Sequence, residues 1–328
     1  MINLRKKLKL GKSFIESKLY PLPIWVHLWI TDRCNLSCDY CYVIDNKSPN
    51  PTTDEVKSWI AHADNLGSAI VAFMGGEPTL RKDLPEIVAS ADERNMITYA
   101  TTNGTLLTYQ KLEDLARAGL DVLELSLDGY DFVDGSKKSL NGDETLIEML
   151  EQVRREYGLR FKIHQVLAPS TLEETPKLLK LSKRRGVPIS FGLVYIHSLN
   201  RNTHNQDELR KTLEFVLQNK NNGTPIINPA QYFTDGIASL SSPVRIDCDV
   251  GLYMVQVATD GFVYVCSKLT TKRPIKFLKI DKDYFRQDQH GNGQLLEQCV
   301  DKCFSACAYS TSFFRQHPLS LISTYRRV

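Results

Sequence analysis

Between residues 24 and 219, six short apolar runs alternate with six longer amphipathic stretches. This alternation limits the fold more than any other feature of the chain. The runs at 24–30, 69–74, 97–101, 121–126, 160–166 and 188–194 are rich in apolar and β-branched residues, as buried strands are. The stretches at 54–66, 83–95, 108–118, 143–157, 172–186 and 206–219 predict helices. The first opens on a capping box, Thr52-x-x-Glu55. Strands that alternate with helices predict a parallel sheet with right-handed crossovers. In closed or partly closed sheets of this kind the chemistry sits at the strands' C-terminal ends. The unusual sequences are therefore expected just after the strands, and that is where they fall.

At 328 residues and 42% hydrophobic, the chain suffices for one large domain and a smaller one. The expected division is a basic amphipathic helix at 1–23, an α/β domain at 24–220 and a small domain at 221–328. A net charge of +3 gives no reason to expect a nucleic-acid partner. No apolar run is long enough to span a bilayer, and no signal-peptide core is visible, so a cytoplasmic location is expected. In a reducing compartment eight cysteines read better as metal ligands than as disulfides. They fall into two groups, at 34, 38 and 41 and at 248, 266, 299, 303 and 307, which favours two metal sites.

The first group, Cys34-x3-Cys38-x2-Cys41, follows the first strand. Three thiols on one short loop are one fewer than the four that usually close a [4Fe–4S] cube. The iron left without a protein ligand is then open to a substrate or cofactor. The alternatives are a zinc site completed by a histidine and a set of buried structural thiols. After the second strand comes Gly75-Gly76-Glu77-Pro78, whose glycines permit close backbone approach and positive φ. Glu77 is placed to accept hydrogen bonds from an ammonium group; the plain alternative is a βα turn. Strand three ends in Thr101-Thr102-Asn103-Gly104, and strand four in Ser126-Leu127-Asp128-Gly129. Strand five carries His164 and Val166 near its end, and strand six Leu193. In the C-terminal region Asp260-Gly261 between apolar alternations predicts a hairpin flanked by Cys248 and Cys266. Cys299, Cys303 and Cys307 follow at helical spacing. A structural zinc knuckle is the alternative to a cluster there.

With an aromatic, Tyr40, before its last cysteine, the first motif resembles the signature of the radical S-adenosylmethionine (radical SAM) superfamily. The resemblance implies a partial (βα)6 TIM-type barrel and a [4Fe–4S] cluster on Cys34, Cys38 and Cys41 with SAM on the open iron. It also implies reductive cleavage of SAM to a 5′-deoxyadenosyl radical that abstracts hydrogen from, or adds to, a substrate. Gly75, Gly76 and Glu77 are similar to the element that binds the SAM amine. Ser126 and Asp128 are similar to one that faces its carboxylate or ribose, with Lys137 or its neighbour Lys138 as the cation. His164, Val166 and Leu193 would reach the ribose or wall the adenine, the plain alternatives being a hydrogen-bonded barrel histidine for His164 and simple core for Leu193. The C-terminal region resembles the SPASM and Twitch extensions, which bind auxiliary [4Fe–4S] clusters. Cys248, Cys266 and Cys307 are the expected ligands, with Cys303 preferred over Cys299. A reduced flavodoxin or ferredoxin is the expected electron donor.

The two ends of the chain also resemble the adenosylhopane synthase family, which acts on a triterpene lipid. The departures are Thr101 where that family has cysteine, a terminal C-x3-C-x3-C in place of C-x2-C-x3-C, and Tyr40 itself. A lipid or other small-molecule substrate is accordingly the favoured expectation. The alternatives are modification of a ribosomal peptide, and a non-catalytic Fe–S or zinc sensor. The 23 residues ahead of the first strand leave little room for a peptide-binding leader domain. Leu4, Leu8, Ile15 and Leu19 lie at helical spacing among Arg5, Lys6, Lys7, Lys9, Lys12 and Lys18. That stretch reads either as a helix on an anionic membrane surface or, more simply, as a helix docked on the barrel with its lysines in water.

Overall fold

A computed structural model describes residues 2–41, 43–194, 206–242, 244, 249–264, 275–287, 306–317 and 320. Six parallel strands follow one another in chain order: β1 (Trp25–Thr31), β2 (Ile70–Gly75), β3 (Ile97–Thr102), β4 (Val122–Ser126), β5 (Arg160–Leu167) and β6 (Ile189–Leu193). Their connections are the helices α2 (Thr53–Leu66), α3 (Leu84–Asp92), α4 (Tyr109–Arg117), α5 (Thr145–Tyr157) and α6 (Thr175–Arg185). After β6 come α7 (Gln206–Asn221) and α8 (Ala230–Ser239). The predicted capping box is formed: Thr52 Oγ1 accepts from Glu55 N, and Glu55 accepts from Thr52 N at 2.8 Å. Val26, Leu28 and Ile30 of β1 join Phe161 and Ile163 of β5 in the core under the helices. The alternate positions face the other way. In β5 these are Arg160, Lys162, His164 and Val166, all half-buried, between buried Phe161, Ile163, Gln165 and Leu167.

The predicted hairpin forms as β7 (Met254–Val257) and β8 (Phe262–Tyr264), with β9 (Ile275–Lys276) alongside β8. The hairpin also joins the main sheet. β7 pairs in parallel with β1, Val26 opposite Val255 and His27 opposite Gln256, so one sheet runs β6-β5-β4-β3-β2-β1-β7-β8-β9. The edges of this sheet are β6 and β9, and α10 (Ala306–Gln316) reaches from β6 to β7. Ala306 neighbours Gly192 of β6, Thr311 Oγ1 donates to Met254 Sδ of β7, and Arg315 pairs with Asp249. A single-turn element at 277–279 precedes the short α9 (Lys282–Gln287).

α1 (Leu4–Leu19) does dock on the barrel, but with its faces reversed. Lys6, expected in water, is 2% exposed and bridges Asp92 at 2.7 Å and Asp121 at 2.5 Å. Leu4, Leu8, Ile15 and Leu19 point outward. The buried Lys6 ammonium is matched by two partly exposed carboxylates at the strands' N-terminal ends, as a charge withdrawn from water requires. No helix among the described residues is long and apolar enough to cross a membrane.

Candidate active site

The loop after β1 is seated by the glycines after β2. Gly76 N donates to Thr31 O at 2.7 Å, and Glu77 N to Arg33 O at 2.8 Å. These bonds extend the β1–β2 pairing to the residue before Cys34. A Cβ on Gly75, whose φ is +132°, would lie 1.9 Å from Thr31 O, and one on Gly76 2.2 Å from Arg33 O. The backbone approach expected of these glycines is thus made to the start of the cysteine loop itself. The loop is further tied down by Cys34 N to Asn46 Oδ1 at 3.0 Å and Asp39 N to Gly135 O at 2.8 Å.

Glu77 is 1% exposed. Its Oε1 accepts from Thr79 N, Thr79 Oγ1 and Thr102 Oγ1 at 3.0, 2.6 and 2.7 Å. Its Oε2 accepts from Asn103 N at 2.7 Å, which leaves that oxygen one further acceptor position. Thr102 and Asn103 are thus essential neighbours whose role the sequence suggested only as small polar lining. Asn103 Nδ2 also reaches Asn35 Oδ1 at 3.0 Å and Cys34 Sγ at 3.9 Å, so the end of β3 touches the cysteine loop directly.

Asp128, with no exposed surface, accepts at Oδ1 from Val166 N at 2.9 Å and at Oδ2 from the Tyr40 hydroxyl. Burial, then the Asp128 charge, pushes the Tyr40 phenol far above its usual range, so it stays a donor. Lys138 Nζ donates to Tyr40 OH at 3.0 Å and to Ser126 Oγ at 3.2 Å, lying 5.2 Å from the centre of the Tyr40 ring. The cation at this site is therefore Lys138. Lys137 is exposed, at φ +57°. Of the two readings of Leu193, the core one holds. It shares the face of Phe191 and packs with the helix-side core, the parity opposite to Ser190 and Gly192, so it does not line the barrel interior. His164 and Val166 do face inward; His164 Nδ1 lies 2.9 Å from Ser190 Oγ, and burial depresses its basicity.

The interior below this ring holds a cluster that the motifs did not reveal. Glu124 accepts from Tyr99 OH at 2.7 Å and pairs with Lys162 Nζ at 2.5 Å; Lys162 also donates to Ser190 Oγ at 3.0 Å. Burial favours the neutral acid, but Lys162 and then His164 outweigh it and hold Glu124 down at about 2. The available signal was charge at alternate positions of two strands whose other faces are mostly apolar: Glu124 in β4, and Lys162 with His164 in β5.

The donor set was tested against the metal it would hold. Burial raises the Cys34 thiol and pushes that of Cys38 up to about 11, and each is raised further by the other thiols of the loop. Cys38 Sγ donates to Ser136 O at 2.8 Å, as a protonated thiol does. Three thiols on one loop tied down at Cys34 N and Asp39 N are the donor chemistry that a [4Fe–4S] cube with one open iron takes. Of the C-terminal cysteines, Cys248, Cys266, Cys299 and Cys303 lie outside the described residues; Cys307 is in the first turn of α10, its side chain likewise not described.

Comparison with known proteins bears on the same segment. Over 210 residues the chain is 30% identical to the Fe-coproporphyrin III synthase of Methanosarcina barkeri, covering 60% of this chain and 51% of that protein. Over 178 residues it is 32% identical to the PqqA peptide cyclase of Bradyrhizobium diazoefficiens, covering 53% and 47%. The chain therefore spans about half the length of the curated relatives it matches. Among solved structures, Streptococcus suis SuiB bound to S-adenosylmethionine superposes with a TM-score of 0.64 at 16% identity, covering 87% of this chain and 71% of that one. That similarity supports the fold. Residues 29–216, more than half of the chain, match the family described as the radical SAM superfamily; they run from β1 into α7 and include the cysteine loop, Glu77 and Asp128. On these grounds the chain belongs to the radical SAM superfamily.

Proposed function

We propose that this protein is a radical SAM enzyme whose catalytic [4Fe–4S] cluster is held by Cys34, Cys38 and Cys41. One observation carries the reading: the three-cysteine loop is fastened at the C-terminal mouth of the barrel by Gly76, Asn103 and Tyr40, beside a buried carboxylate with acceptor capacity left. With SAM on the iron that lacks a protein ligand, such a cluster supplies a 5′-deoxyadenosyl radical on one-electron reduction. The chain's own residues do the positioning. Glu77 Oε2 offers its remaining acceptor site to the SAM ammonium, and Lys138, steadied by Ser126 and Tyr40, offers a cation to the carboxylate. Val166 and His164 form the inward wall beneath. Holding both ends of SAM turns a flexible ligand into one oriented reactant, and the enclosed barrel keeps water from a reactive intermediate.

The names of the relatives, a peptide cyclase and a coproporphyrin-forming synthase, support a peptide or a tetrapyrrole as substrate class. They lend nothing to the lipid expected from the two chain ends. An auxiliary cluster on the C-terminal cysteines, and flavodoxin or ferredoxin as reductant, remain parts of the proposal. The test is anaerobic reconstitution with iron and sulfide, then incubation with SAM and a strong reductant. Formation of 5′-deoxyadenosine, lost in the Cys34→Ala/Cys38→Ala/Cys41→Ala variant, supports the reading. Protein that takes up zinc without sulfide, or leaves SAM intact, overturns it.

A further inference from the structure

The reversed seating of α1 leaves an exposed apolar stripe among the described residues. Leu4, Leu8, Ile15 and Leu19 are 70%, 64%, 67% and 70% exposed. At 3.6 residues per turn they fall within about 60° of arc, directly opposite Lys6, Ser13 and Ser17, which are buried against the barrel. Exposed Arg5 and Lys12 border the stripe on one side, and exposed Lys7 and Lys18 on the other. The single acidic residue of the helix, Glu16, lies away from the stripe toward Gly67 and is engaged with Lys12. Scattered leucines on a surface need no explanation, but a continuous stripe flanked by cations on both edges does.

We propose that this face of α1 docks on an anionic lipid bilayer. The four apolar side chains would enter the boundary between headgroups and acyl chains, and the four cations would meet lipid phosphates on either side. The charge pattern decides between occupants. A second copy meeting this face about a two-fold axis would set cations against cations along both edges. An anionic plane matches both edges at once. Because α1 is held at the N-terminal ends of the strands, through Asp92 and Asp121, the cysteine loop opens on the opposite end of the barrel. Docking would therefore leave the mouth free, and the proposal needs no lipid substrate.

The experiment is flotation of the full chain with vesicles of phosphatidylglycerol mixed with phosphatidylcholine, and with phosphatidylcholine alone. The expected result is co-flotation with the anionic vesicles, release by added salt, and none with the neutral ones. The Leu8→Asp/Ile15→Asp variant should lose binding while its thermal unfolding matches the parent, since both side chains stand in water. Lys7→Gln/Lys18→Gln should lower partitioning by about thirtyfold. The proposal is overturned if the parent does not float with anionic vesicles, floats equally with neutral ones, or binds undiminished after Leu8→Asp/Ile15→Asp. It is also overturned if that variant dissolves a dimer of the parent that vesicles do not compete away.

Discussion

Glu77 and Asp128 look alike in the sequence, each an acid in a Gly-containing loop just past a strand. Both carboxylates are buried, and the partners that the structure gives each are neutral donors. The difference lies in where those donors come from. Those of Glu77 belong to its own turn and to the end of the neighbouring β3, so Glu77 fastens one strand end to the next. Those of Asp128 come from β5 and, through Tyr40, from the cysteine loop, so Asp128 fastens that loop to the barrel. Removing the first should register as stability and, on the function proposed above, as SAM binding; removing the second should register mainly as retention of the cluster.

The largest expected effect tests the seat on which Glu77 depends. Gly75→Ala would put a methyl 1.9 Å from Thr31 O in a backbone conformation that L side chains avoid. A loss of about 3 kcal/mol or more in urea unfolding is expected, with iron uptake falling as the loop comes away from β1. An unchanged midpoint would mean that the Gly-Gly-Glu segment does not rest on β1. Next in size is a third carboxylate, Glu124, which differs from the other two in being held by a cation. Lys162→Met leaves it buried without its counter-charge, at a cost of about 3–5 kcal/mol near neutral pH. The pH dependence has a definite sign. In the parent the carboxyl titrates at about 2, below its unfolded value, so its contribution is complete above the ordinary carboxylate range and is lost on acidification toward 2. In the variant the same carboxyl is raised, so acid relieves the penalty. The gap in stability between the two proteins should narrow as pH falls, and a gap that widens would show that Lys162 does not neutralise Glu124.

The direct comparison comes from matched amide variants. Glu77→Gln turns an NH2 toward a site lined with four donors, and a loss of about 2–3 kcal/mol is expected by thermal or urea unfolding. Asp128→Asn can keep its bond from Val166 N through the amide oxygen, but its NH2 cannot accept from Tyr40, so that bond is lost with the charge. About 1–2 kcal/mol is expected, together with faster loss of iron to a chelator. If Glu77→Gln released iron as fast as Asp128→Asn, the assignment of different duties to the two acids would fail.

How far the sequence led is itself instructive in these residues. The parallel barrel was legible because strand and helix periods repeat without interruption from β1 to β6, and the cysteine loop because spacing alone placed three thiols on one short segment. The Asp-Gly hairpin was legible as a hairpin but not as an extension of β1, since pairing between segments over two hundred residues apart leaves no local trace. The choice between Lys137 and Lys138 turns on one residue at positive φ, which no periodicity records. Leu193 stayed open between adenine wall and core because apolar residues occupy both faces of a strand buried on both sides, and parity becomes visible only once Phe191 is seen against the helices. α1 was reversed for a deeper reason: the carboxylates that pair with its lysine face come from three other parts of the chain, Asp64, Asp92 and Asp121.

The smallest effect discriminates most finely. Tyr40→Phe keeps the ring and its contact with Lys138 while deleting one hydroxyl, so Asp128 Oδ2 loses a donor. With Lys138 Nζ only 3.0 Å from where that oxygen stood, the ammonium can turn toward Asp128 and make good most of the loss. The net cost should be about 1 kcal/mol in unfolding experiments. The price of that repair would be paid at the ligand, because a Lys138 recruited by Asp128 is withdrawn from Ser126 and from the carboxylate that it would otherwise meet. Weaker binding of SAM to reconstituted Tyr40→Phe, at nearly parental stability, is therefore expected in a titration. Lys138→Met should weaken SAM binding at least as much, and the double variant should add little further. Additive losses would mean that tyrosine and lysine act separately, and that Asp128 reaches the cysteine loop by some route other than this pair.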